Sequence, residues 1–313
     1  MRAFVIRRIL ILIPTFLGIT LVVFATMKLI PGDPIIALLQ DNYTEELAAE
    51  LRNKLGLDRP LPIQYGIWLR DLFSGNWGRS IISREPVLDE ILRRLPITME
   101  LLVLALLFAL LISIPIGVIS AVKRNTPVDY GAMTFAMLGI SLPEFFLGGL
   151  LLLFFSLSLQ WLPATGYVPF FQDPVANFRH LVLPALTLGM TRAALIARLV
   201  RNSMLEVIRQ DYIDTARAKG LAEFLVINKH ALKNALIPTV TVVGLQIGYL
   251  IGGAIIVESL FAIPGIGSFG IDAILQRDYP MVQAFSVVAA SGFILSNFLV
   301  DIVYTYLDPR IRV

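Results

Sequence analysis

The sequence predicts an all-α polytopic membrane protein with six transmembrane helices and both termini in the cytoplasm. Composition points there first: 57% of the 313 residues are hydrophobic and 16% are charged, against about 25% charged in a soluble domain. The apolar residues also collect into blocks. Ile9 to Met27, Leu101 to Val122, Asn234 to Val257 and Tyr279 to Val300 carry no charge, and each can cross a hydrocarbon core of about 30 Å as a helix. Finally, Lys and Arg gather in loops that a six-span topology places on one face.

Two further spans are interrupted. Tyr130 to Leu159 is apolar except for Glu144, which follows Pro143, and His180 to Val200 carries Arg192 and Arg198. The six helices are then roughly 9–29, 99–122, 131–158, 181–200, 235–257 and 281–306. The first block follows Arg7 and Arg8, as a secretory signal would. Its apolar run is longer than a signal h-region and no convincing cleavage site precedes Pro31, so it reads as a retained span. Arg2, Arg7, Arg8, Lys123, Arg124, Arg310 and Arg312 mark the cytoplasmic side, joined by Arg201, Arg209, Arg217, Lys219, Lys229 and Lys233 in the loop after the fourth span. The short loops opposite hold only Arg179 and Arg277.

The net charge of +3 is therefore a topology signal, and no basic cluster with interleaved aromatics suggests nucleic acid. The absence of cysteine excludes disulfides and thiolate metal sites. His180 and His230 fall on opposite faces and make no metal site together.

Four regions follow: residues 1–30 with the first span, an external segment 31–97, a five-helix core 98–307 with a cytoplasmic loop 201–235, and a cytoplasmic tail 308–313. The external segment opens with "PGDP", whose prolines stop the first helix. A short amphipathic helix capped by Thr44 and ended by Gly56 follows, then a second carrying Trp68, together forming a cap on the membrane face. In the external loop between the third and fourth spans, Trp161, Tyr167, Phe170 and Phe171 fit an interfacial belt. Lys28 can snorkel to the external interface.

The cytoplasmic loop is the informative segment. Ser203 to Glu206 matches a capping box. Leu205, Ile208, Tyr212 and Ala216 then recur at helical spacing, and Gly220 supplies a left-handed end. A second helical segment runs from Leu221 toward Pro238. A helix lying in the lipid interface would carry few acids beside an anionic leaflet, yet Asp211 and Asp214 sit within this one. A protein partner accounts for the mixture better.

At these residues the chain resembles a known family. "DTARAKG" looks like the EAA loop of ATP-binding-cassette importer permeases, with Asp214, Thr215 and Ala216 in the first three places and Gly220 in the glycine's. Asp replaces the usual Glu, and the expected Ile-x-Leu-Pro falls on His230, Ala231, Leu232 and Lys233, the proline arriving at Pro238. These departures are similar to the dipeptide/oligopeptide/nickel permease branch, which "LIPGDP", "LGLDRPLPIQY", "RLPITMEL", "GISLPEFFLG", "HLVLPALTLG", "VESLFAIPGIG", "RDYPMVQA" and "VDIVYTYLDPRIR" also resemble, in order to the C-terminus. At "GNWGRS", Asn76 and Trp77 depart from the branch's usual residues.

The resemblance implies a type I importer permease in a bacterial inner membrane, working with a second related permease, two ATPase subunits and an external substrate-binding protein. No Gly-x-x-x-x-Gly-Lys-Ser/Thr loop is present, so ATP and Mg would be bound by the partners, this chain holding no cofactor and catalysing nothing itself. The ATPase-coupling residues would be Asp211, Tyr212, Asp214, Thr215, Ala216, Arg217, Lys219 and Gly220, with Tyr212 and Ala216 as apolar contacts. Glu258, Pro264, Gly265 and Gly267 are candidates for an external gate at the pore entrance, or else form an ordinary turn. Glu144 either lines the path or is a locally paired acid in a kinked helix. The implied cargo is dipeptides and oligopeptides, with glutathione, nickel chelates and opine-like molecules as alternatives. An ion-gradient transporter would need ionisable pairs and paired broken helices, and an intramembrane enzyme convergent nucleophiles or acids. The sequence offers little toward either.

Overall fold

A computed structural model describes residues 2–29, 35, 39, 44–54 and 56–307 of the chain. The Pro31–Pro34 stop signal and the tail 308–313, with Arg310 and Arg312, lie outside the described residues. Helix α1 spans Arg2–Leu29, α2 Glu45–Lys54, α3 Leu61–Phe73, α4 Val87–Val122, α5 Pro127–Ser141 and α6 Glu144–Leu151, which runs on as a π-helical stretch Leu152–Ser158. Helix α7 spans Pro174–Val207, α8 Asp211–Ala218 and α9 Glu223–Leu225. A second π stretch, Val226–Ala231, leads into α10, Leu232–Leu260, and α11 (Ile266–Leu275) and α12 (Tyr279–Leu307) close the chain.

Among the described residues four helices are long and apolar enough to cross a membrane, and up to six spans result if each of two bent pairs counts as one. The third expected span is one of the pairs: α5 and α6 meet at 108°. Leu142, held extended before Pro143, cannot continue the helix. By contrast Pro96, Pro115 and Pro184 sit inside unbent helices, and Pro238 lies inside α10, whose own 56° bend falls later, between Gln246 and Leu250.

Helices α4 and α7 make the most extensive pair, and their backbones approach through glycine. A side chain at Gly189 would meet the Ala105 carbonyl at 2.6 Å, and one at Gly117 the Ala197 carbonyl at 2.8 Å. The core beside this seam is built from Leu101, Leu102, Ala105, Leu181, Leu183 and Leu188, with Leu250, Ala254 and Val257 of α10. Small residues at such seams let helices gain van der Waals contact where lipid offers no hydrophobic driving force.

Thr44 caps α2 through the Leu47 amide and Gly56 adopts φ +66°, as expected. Helix α3 does more than cover the membrane face, because it runs back along α1. Gln64 accepts from Lys28, the Tyr65 hydroxyl pairs with Thr20 at 2.9 Å, and Phe73 lies against Phe16. Lys28 is thus held by α3 and by the Phe24 ring. The next loop is closed by the buried Asp278, which accepts from the Ser80 hydroxyl at 2.5 Å and the Ile81 amide at 3.0 Å. Of the expected aromatic belt, Trp161, Phe170 and Phe171 are exposed, whereas Tyr167 turns inward to donate to Glu100 at 2.9 Å.

Replacing Gly189 or Gly117 by valine should force α4 and α7 apart and cost about 1–3 kcal/mol or more, the usual penalty of overpacking. Thermal unfolding of the detergent-solubilised protein measures this. Gly131→Ala, which meets nothing within 4 Å, should leave the transition where it was.

Candidate functional site: a cytoplasmic helix and two buried carboxylates

The cytoplasmic loop differs from its expected form at its start. Ser203 does not open a helix. It lies inside α7, whose buried face continues through Val200 and Met204, so packing carries the helix on to Val207. The chain turns at Ile208–Gln210 and re-enters a helix at Asp211, with Gln210 as a cap that offers no side-chain bond. Asp211 and Asp214 therefore occupy the first turn of α8, where the helix dipole favours acids. Their presence no longer argues by itself against a lipid surface.

The buried face of α8 also differs from the apolar face that periodicity picks out. Ile213 is fully buried and Ala216 nearly so, packed with Met204, Val226, Ile227 and Ala231. Ala216 thus anchors α8 to its own subunit, and Ile213, which periodicity from Ser203 passes over, is the main anchor. Tyr212 is 42% exposed, its hydroxyl accepting from Asn234 of α10 at 2.8 Å. Asp211, Asp214, Thr215 and Lys219 are exposed.

Gly220 takes φ +76° with open space where a Cβ would be, so it is needed for its backbone conformation alone. Arg217 bridges that turn. Its Nη2 and Nε donate to the two carboxylate oxygens of Glu223 at 2.8 and 3.1 Å, and its Nη1 to Asp214 at 3.1 Å. The guanidinium holds the Glu223 carboxyl below its ordinary range. The bridge is therefore intact at neutral pH and is lost only as pH falls through that lowered value.

Beside this helix, Asp129 joins three elements. It accepts from Arg201 Nε and Nη2, both at 2.7 Å, from the Ser120 hydroxyl, and from the Asn125 amide at 3.0 Å. Ser120 ends α4, Asp129 begins α5 and Arg201 belongs to α7, so one 2% exposed carboxylate ties together the cytoplasmic ends of three helices.

At the external end, Glu258 is fully buried. It accepts from the Thr98 hydroxyl of α4 at 2.6 Å and the Ser268 amide of α11 at 3.0 Å, while Thr98 accepts from the Ile266 amide. A side chain on Gly265 would collide with the Glu258 carboxylate, and one on Gly267 would reach 2.5 Å from the Ile255 Cα. The "IPGIG" glycines therefore let the chain fold back across α10 onto this acid, with Pro264 exposed at the crest. An apolar cavity of about 310 Å³ opens alongside, lined by Thr98, Gly252, Gly267, Phe285 and Phe293 among others.

Glu144, at the break in the third span, pairs with Arg192 of α7 at 3.0 Å, and Arg192 also approaches Gln246 of α10 at 3.4 Å. Among the described residues no group of His, Asp or Glu could hold a metal ion.

This geometry defines a class: a polytopic helical subunit whose spans are joined to a small, firmly docked cytoplasmic helix. Residues 113–313 match the family described as binding-protein-dependent transport system inner membrane component, and residues 1–102 match its N-terminal family. The chain belongs to this family of importer permeases of the bacterial inner membrane. It is 42% identical to the dipeptide transport system permease protein DppB of Alkalihalophilus pseudofirmus over all of both chains. It is 44% identical to the di/tripeptide transport system permease protein DppB of Pseudomonas aeruginosa, covering 100% and 99% of the two chains. With the glutathione transport system permease protein GsiC of Salmonella choleraesuis the identity is 41% over 99% and 98%. Among solved structures, an inward-facing MetNI methionine ABC transporter chain superposes with a TM-score of 0.60 at 20% identity, covering 72% of this chain and 99% of that one. As a component of a binding-protein-dependent importer, the subunit works with ATPase and binding-protein partners and has no catalytic activity of its own.

Asp129→Asn should leave the partly buried Arg201 without its counter-charge and cost up to about 3–5 kcal/mol, visible as a lowered melting temperature in detergent. Glu223→Gln breaks only an exposed bridge, so it should change melting little while speeding tryptic cleavage after Arg217 or Lys219 several-fold. Equal melting losses for the two variants would contradict this ranking.

Proposed function

We propose that this chain is the permease subunit through which an ATP-driven importer moves dipeptides and oligopeptides into the cytoplasm, paired with a second, homologous permease and driven by two ATPase subunits. The full-length resemblance to two dipeptide-type permeases supports peptide cargo. The glutathione permease among the relatives keeps glutathione, itself a modified tripeptide, as the second reading.

The observation that carries the mechanism is the docking of α8. Ile213 and Ala216 sink into the cluster that holds the cytoplasmic ends of α4, α7 and α10. Arg217 and Glu223 stiffen the turn at Gly220, and Tyr212 reaches Asn234. A push on the outward residues Asp211, Tyr212, Asp214, Thr215 and Lys219 would pass to the spans without being absorbed by the loop. ATP-driven closure of the ATPase pair supplies that push. The outer face of α8 is polar apart from Tyr212 and Ala218, as befits an interface that must rearrange on each cycle.

At the external end, Glu258 with Gly265 and Gly267 makes the fold-back segment rigid. We place this segment at the pore entrance, where α11 closes over α10. Its role there is to hold the entrance in shape through hydrogen bonds to Thr98 and Ser268, and Pro264 is the residue free to meet a docked binding protein.

Gly220→Val should test the lever. Valine is strained at φ +76°, so α8 should tilt while the spans stay inserted. In proteoliposomes holding the whole importer, binding-protein-stimulated ATP hydrolysis should no longer be matched by peptide uptake. Normal uptake by this variant would sink the lever reading.

A further inference from the structure

Among the described residues two ion pairs join the spans, and they are built differently. Around Asp129 both carboxylate oxygens are engaged, the Arg201 fork is bidentate at 2.7 Å, and the acid is almost fully covered. The Asp129 carboxylate is thus fully engaged and offers a ligand no free acceptor.

The pair at the break in the third span is unsaturated. Arg192 gives Glu144 one hydrogen bond, from Nη2 to Oε1 at 3.0 Å. Its Nη1 reaches Gln246 only at 3.4 Å, and its Nε is buried without a partner. Among the described residues, Glu144 Oε2 takes no hydrogen bond. It faces Gly253 of α10, where any side chain would come within 2.6 Å of it. Both side chains keep some exposure, 15% for Glu144 and 20% for Arg192. Glu144 immediately follows the 108° bend, and irregular backbone at membrane depth is tolerated only against protein or a water-filled path. Ionisable residues at such depth mark substrate pathways more often than they add stability.

Resting on the peptide reading above, we infer that Glu144 and Arg192 form a charge clamp on the translocation path, which opens to receive the ammonium and carboxylate ends of a passing peptide. A zwitterionic peptide offers the complement of what the pair leaves unused: donors for the free acceptor capacity of Glu144, and a carboxylate for the unengaged Nε edge of Arg192. The clamp replaces water around the peptide's charges while the peptide lies between helices. Because its own bond is single, the pair exchanges partners at little cost, and it re-forms behind the cargo as a seal. Gln246 steadies Arg192 in the open state, and Gly253 leaves α10 close enough to wall the site without blocking it.

The test uses the complete importer in proteoliposomes, with radiolabelled trialanine as probe, and measures peptide imported per ATP hydrolysed. In the double variant Glu144→Gln with Arg192→Met neither side chain keeps a lone charge, so a purely structural pair is replaced by a neutral one. The clamp predicts a fall of tenfold or more in the ratio. A ratio within twofold of the native importer overturns it and leaves the pair as a weld between α6 and α7. If the double variant yields no complex, Arg192→Lys serves instead, keeping the charge and removing the fork. A fivefold drop in the ratio supports the clamp and an unchanged ratio overturns it. Should the native importer hydrolyse ATP with its binding protein yet import no trialanine, the peptide reading falls and the clamp with it.

Discussion

The burial of Ile213 beneath α8 is the contact on which the cytoplasmic half of this subunit depends. Eight residues of helix cannot hold themselves together in water, so α8 exists because Ile213 and Ala216 dock on Met204, Val226, Ile227 and Ala231. That docking sets which side chains point outward. It also makes the loop part of the core rather than an appendage, and the same cluster reaches Ala109 and Ala121 of α4 and Ala235 of α10. A force at the surface of α8 is therefore a force on three spans.

Polar groups inside the subunit are graded by how completely they are bonded. Asp129, Glu258 and Asp278 each gather the ends of separate elements, and each accepts from two or more partners. Such acids act as knots at the two membrane faces, where a helical bundle in lipid has few other ways of fixing the relative height of its helices. Removing a partner from one of them strands a buried charge. Glu144 lies at the bend of the third span, and with Arg192 of α7 it is only partly bonded, so the pair combines accessibility with spare capacity.

The spans themselves were legible because an uncharged block of about twenty residues is a local property. The family was legible for a similar reason: its motifs are contiguous. Glu144, Glu258 and Gly220 stood out as an acid in an apolar run, an acid beside a glycine-rich fold-back and a glycine between helical segments. Their partners did not. Arg201 is 72 residues from Asp129, Arg192 is 48 from Glu144, and Thr98 is 160 from Glu258. Nothing local in a single sequence links such pairs. Proline alone marks no break: Pro143 stands at the bend of the third span, while Pro96, Pro115 and Pro184 lie inside unbroken helices, as the spans read from sequence had them at Pro115 and Pro184. The capping pattern at Ser203 was overridden by the buried face of α7. Periodicity read from Ser203 joined Tyr212 and Ala216 as apolar contacts for the partner and passed over Ile213, which is buried beside Ala216.

The claim that α8 is a docked lever with one face turned to the ATPase can be measured residue by residue, because the native chain has no cysteine. Single cysteines placed at positions 211 to 216 and at 219 would be tested for cross-linking to the ATPase subunit in the assembled importer. The account predicts cross-links from positions 211, 212, 214, 215 and 219, and none from 213 or 216. Efficient cross-linking from 213 and 216, with silence at 214 and 215, would contradict it.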